Sequence, residues 1–109
     1  MTERSKKYLS DILISIEFIE EFTAGIKSFP DYQLDTKTKS AVERQLGIIG
    51  EAVNKYRQEG NPDLPQTQQI IQFRNRLIHA YDSVDDSIVW AIILNHLPQL
   101  KNEVIILLD

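Results

Sequence analysis

The stretch FRNRLIHAYD, residues 73–82, decides how the chain is read. Placed on a helix at about 100° per residue, Phe73, Leu77 and Tyr81 share one apolar arc with Ile70, and Ile71 and Ile78 widen it. Arg74 falls inside that arc, beside Tyr81 and Ile78. A guanidinium there is costly unless something offsets its charge, so the position calls for an internal carboxylate, a second subunit closing over the face, or a bound anion. His79 lies about 140° round the wheel from Arg74, on the sector of Asn75. One helix does not easily converge the two side chains on a single atom. Two copies related by a two-fold axis can, and an apolar arc broader than one core requires points to the same homodimer face.

Outward from this stretch, apolar residues recur at helical spacing and no run shows the period of two expected of a half-buried strand. The expected class is all-α, an antiparallel bundle of four to five helices forming one domain over residues 1–109. A first helix is expected from about Glu3 to Ile26, with Leu9, Ile12, Leu13, Ile16, Ile19 and Ile26 on one face and Glu17, Glu20 and Glu21 off it. SFPDYQLD breaks it through Pro30 and the aspartates, and Asp35 or Thr36 caps a second helix that stops near Gly60. A third starts near Pro65 and runs to about Val84; SVDD caps a fourth; Pro98 kinks or restarts the chain before a short last helix. Gly47 and Gly50, three residues apart in GIIGEA, let another helix approach closely.

The chain holds no cysteine, which excludes disulfides and thiolate metal sites and permits a cytoplasmic location. Its charged start has no apolar core of a signal peptide behind it, and IVWAIIL is too short to span a bilayer, so a soluble cytoplasmic protein is expected. A formal net charge of -4 argues against a general nucleic-acid coat but leaves room for a local basic site. Arg74, Arg76 and His79, with Lys37 or Lys39, are the candidates for one, though Lys37, Lys39 and Arg44 read most simply as a solvated face.

The chemistry that suits an arginine–histidine cleft is phosphodiester cleavage in RNA. A histidine can take the proton of a ribose 2′-hydroxyl or give one to the leaving oxygen. An arginine stays charged and pairs with phosphate oxygens in a fork. That scheme requires no metal or other cofactor. Glu51, beside Gly50, is a candidate carboxylate for orienting Arg74 or His79. Asp82, Asp85 and Asp86 could hold Mg²⁺, but capping the fourth helix is their simpler role. Trp90 reads as core, and His96 as a loop or cap residue.

Beyond these residues, the chain resembles the HEPN superfamily, in particular the HepT-like toxins of HEPN/MNT toxin–antitoxin pairs. RNRLIHAY matches that group's Arg-x-x-x-x-His-x-Tyr pattern, AVERQLGIIGEAVNKY its second helix and DDSIVWAIILNHLPQL the segment after the motif, so that the likeness covers residues 7–108. The resemblance implies a dimeric helical bundle with the motif of both subunits in one cleft, and a metal-independent endoribonuclease. It implies Arg74 and His79 as the catalytic pair, with Asn75 supporting them. It also implies that Tyr81 is the site where a partner nucleotidyltransferase antitoxin attaches AMP, which would set a phosphate beside Arg74 and fill the cleft. The rival readings are an RNA- or nucleotide-binding module without cleavage, and a structural adaptor for a nucleotidyltransferase.

Overall fold

The computed structural model describes residues 1–79 and 84–109, with the side chains of 78 and 79 excepted. All regular structure among them is helical: α1 (Glu3–Thr23), α2 (Phe29–Leu34), α3 (Thr36–Gln58), α4 (Gln68–His79), α5 (Asp86–Ala91), a π turn (Ile92–His96) and α6 (Leu97–Leu108). None of these helices is long and apolar enough to cross a membrane.

Side chains fix where the helices begin. Thr2 caps α1 by accepting from the Ser5 amide, Ser28 caps α2 through the Asp31 amide, and Asp85 caps α5 through the Ser87 amide. At α3, Asp35 accepts from the Thr38 amide at 3.0 Å and from its hydroxyl at 2.7 Å. Gly60, at φ +88°, ends α3: its amide donates to the Arg57 carbonyl in a left-handed conformation that favours glycine.

Three cross-helix registers show that neighbours run antiparallel. Asn61, just past α3, donates to Ser5 Oγ near the start of α1 at 2.8 Å. Lys101 early in α6 pairs with Glu20 late in α1 at 2.9 Å. From Gly50 back to Gly47 on α3, the facing residue on α4 advances from Arg74 to Leu77. The core follows the expected faces, with Leu9, Ile12, Ile16 and Ile19 of α1 meeting Val42, Leu46, Ile49 and Val53 of α3. Ile70 and Phe73 close it from α4, Leu100 and Val104 from α6.

Three details depart from expectation, and a fourth departs in part. α1 ends at Thr23, short of Ile26. SFPDYQLD contains α2, with Pro30 in its first turn, where the missing amide proton removes no helical bond. α4 begins at Gln68, so Pro65 lies in the turn before it. At Pro98 the helical run from Asp86 to Leu108 is unbroken, but it widens to a π turn just before the proline, which sits in the first turn of the short last helix α6 as expected.

Because hydrogen bonds from Thr38 hold the Asp35 carboxyl below its ordinary range, its contribution is present above the unfolded-state pKa and is lost as pH falls through the folded one. Asp35→Ala is therefore expected to lower the melting temperature by a few degrees at neutral pH, and melting curves taken down a pH series should converge with those of the unsubstituted protein in acid.

Candidate functional site

α4 carries the arginine and histidine, and α3 determines how the arginine lies. A Cβ built on Gly50 would stand 2.8 Å from Arg74 Cβ and 3.1 Å from its Cδ, so the aliphatic stem of Arg74 runs directly over the bare backbone of α3. Arg74 is half-buried, its stem covered while Ile70 and Phe73 beside it reach the core. Gly47 does not do the same: a Cβ there would meet Leu77 at 3.5 Å, an ordinary contact. Of the two glycines singled out in the sequence, only Gly50 is required for the close approach.

Asn75 is exposed, and His79 is the last residue of α4. The His79 side chain, Tyr81 and Asp82 lie outside the described residues. Glu51 is exposed and pairs with Lys55, one turn along α3, at 3.3 Å. Among the described residues Arg74 makes no ion pair.

The apolar arc of α4 serves the protomer first. Ile70 and Phe73 are buried in its own core, and Ile71 and Leu77 are half-buried against it. The width of the arc is thus largely accounted for within one chain, and no longer argues by itself for a second one.

The charged residues near the motif resolve into structural roles. Asp85 is the cap of α5; bonds from the Ser87 hydroxyl and amide hold its carboxyl low, with Arg76 adding a weaker pull. Asp86 pairs with Lys39 of α3 at 3.0 Å, both largely covered, so Lys39 is tied down while Lys37 stays exposed. Among the described residues no group of three His, Cys, Asp or Glu could hold a metal. Next to this pair, Tyr32 of α2 is fully buried and stacks on Trp90 at 5.2 Å. Burial, then the charges of Glu43 and Asp86, pushes the Tyr32 phenol up. Burial likewise raises Glu43, with Asp86 adding to it and Lys39 opposing.

His96 is not a loop residue; it stands at the N-cap position of α6, where its side chain makes no capping bond. It lies in the π turn, and its Nδ1 is 2.6 Å from Oε1 of Gln66, a residue the sequence reading passed over. The available signal was the density of glutamines in PQTQQIIQ, residues 65–72.

The described residues thus form an all-α protein of antiparallel helices, with an arginine laid over a glycine and a histidine at the end of the same helix. Residues 12–106 match the HepT-like family, described as Ribonuclease HepT-like, and the chain belongs to that family. It is 40% identical over 106 residues to the "Probable ribonuclease HepT" of Thermococcus cleftensis, covering 94% of each chain. It is 38% identical over 102 residues to "Putative RNase TTE0752" of Caldanaerobacter subterraneus subsp. tengcongensis, covering 91% of this chain and 89% of that one. No solved structure matches it at the same stringency.

Gly50→Ala forces Arg74 to move or α4 to lift, and is expected to destabilise the fold by about 1–3 kcal/mol, as overpacking does. Gly47→Ala has room and removes a helix-interior glycine, so it should be neutral or stabilising by up to about 1 kcal/mol. Urea unfolding of the two variants side by side measures both.

Proposed function

We propose that this chain is a metal-independent endoribonuclease, the toxin of a HEPN/MNT pair, acting as a single-domain homodimer. The observation that carries the reading is the placement of Arg74, half-buried over Gly50 on the helix that ends in His79, in a chain whose relatives are named as ribonucleases. With its stem clamped, the guanidinium has few conformations to lose when it binds a phosphate.

In the proposed reaction the ribose 2′-oxygen attacks the adjacent phosphorus as His79 takes its proton. The bond to the 5′-oxygen breaks, that oxygen takes a proton from a protonated His79 imidazole, and a 2′,3′-cyclic phosphate remains. Arg74 stabilises the charge on the phosphate oxygens, and Asn75, exposed next to it, supports the substrate. The case for a second copy rests on the angular separation of Arg74 and His79, which two antiparallel copies of α4 overcome by pairing the arginine of one with the histidine of the other. Tyr81, two residues beyond α4, is the proposed site of AMP transfer from a nucleotidyltransferase partner; the added phosphate would compete for Arg74.

The test is cleavage of a mixed tRNA and mRNA pool in EDTA, with His79→Ala and Arg74→Ala purified identically. Each substitution is expected to reduce cleavage by at least about a hundredfold while leaving the fold intact, with cyclic phosphate ends on the wild-type products. Intact RNA with the unsubstituted protein, or equal cleavage by the variants, refutes the catalytic assignment and favours a binding module.

A further inference from the structure

A groove of about 710 Å³ opens at the start of α4, away from the Arg74 end of that helix. Four of its ten lining residues are glutamines, Gln66, Gln68, Gln69 and Gln72, and Arg57 of α3 and His96 are among the others. Two features mark it as more than a surface hollow. Gln66 holds φ +63°, a left-handed backbone that a residue with a side chain adopts at a cost, and such strain concentrates at functional sites. His96 is carried by the π turn, another irregularity frequent at such sites. The two are joined: a carbonyl oxygen only accepts, so His96 Nδ1 donates to Gln66 Oε1.

We propose that this groove binds one unpaired nucleotide of single-stranded RNA, as a subsite of the RNA that Arg74 and His79 cut. The inference rests on the ribonuclease reading for its substrate. A side-chain amide offers a donor and an acceptor in one plane, which is the pattern a base edge presents, and the imidazole and guanidinium planes suit base stacking. Arg57 stands 3.8 Å from Asp63, at the long end of ion pairing, and retains N–H groups for a phosphate. The lining has one arginine against one aspartate, so hydrogen bonding and shape, rather than net charge, select the occupant.

The helix also supplies a path. Gln68, Gln72 and Asn75 are all exposed and fall within about 60° on the wheel, in the sector of His79. This polar stripe climbs about 10 Å from Gln68 to Asn75, leading from the groove to the motif. An RNA strand lying along it would have one nucleotide in the groove and its scissile phosphate at the far end of α4.

The test uses the full chain with Gln68→Ala/Gln72→Ala and, separately, His96→Ala. Both glutamines are exposed and alanine is the better helix former, so the double variant should keep its melting temperature. Fluorescence anisotropy with a fluorescein-labelled single-stranded oligoribonucleotide in EDTA, on a His79→Ala background, should show Kd raised about tenfold by either change. In the cleaving protein the same changes should raise KM with kcat nearly constant. Unchanged RNA binding by the folded double variant overturns the proposal. So does a loss confined to labelled AMP, which would make the groove a free-nucleotide site. If the parent binds RNA but cuts none, the ribonuclease reading fails, while weaker binding by the glutamine variants still supports the subsite.

Discussion

The contact on which the molecule depends is that between α3 and α4 at Gly50. Without a side chain there, α4 comes close enough for Ile70 and Phe73 to be buried in the core beneath it. A glycine inside a helix costs about 1 kcal/mol relative to alanine, whereas each large apolar side chain fully buried contributes about 1.5–3 kcal/mol. The close approach therefore more than offsets its local cost. It also answers the puzzle of an arginine within an apolar arc: the stem, not the charge, occupies the apolar position, covering the glycine. Fold stability and the posture of the guanidinium thus come from one contact.

What the sequence made legible were the features that act locally. Asp35 before α3, Gly60 after it and the spacing of Leu9, Ile12, Ile16 and Ile19 all operate through neighbours within a turn or two, and each lies where those rules place it. Pro30 and Pro65 were misread in opposite directions, one inside a helical first turn and one outside it, because the same fixed φ suits a turn and a first helical turn equally. The Gln66–His96 bond spans thirty residues, and the Lys39–Asp86 pair nearly fifty; no local pattern announces such contacts.

The site shows the same division. Arg74 stands out as an anomaly on the wheel, and it does lie on a helix, but that helix is Gln68–His79 and not the longer one expected from Pro65 to Val84. The posture of its stem depends on a glycine of another helix, which leaves no trace in charge or periodicity. Glu51 is a candidate carboxylate for Arg74 or His79 by sequence, but one residue's step from Gly50 turns it about 100° from the Arg74 contact, and it pairs with Lys55. The acidic residues after the motif, read against a metal, serve as a cap and an anchor: Asp85 starts α5, and Asp86 binds it to α3 through Lys39.

The π turn has a consequence for how this chain is aligned with others. Ile92 and Leu97 are both buried although five residues apart, and the Leu97 amide bonds to the Ile92 carbonyl. In an ordinary helix that spacing would send them about 140° apart. The extra residue absorbed by the wide turn restores the phase, so that Val89 and Ile92 before it and Leu97, Leu100 and Val104 after it all face one core. A relative lacking one residue in this segment would reach the same packing with a plain α-helix. A single-residue gap there therefore records a change of winding rather than a lost contact, and should not be slid into a neighbouring loop to tidy the alignment.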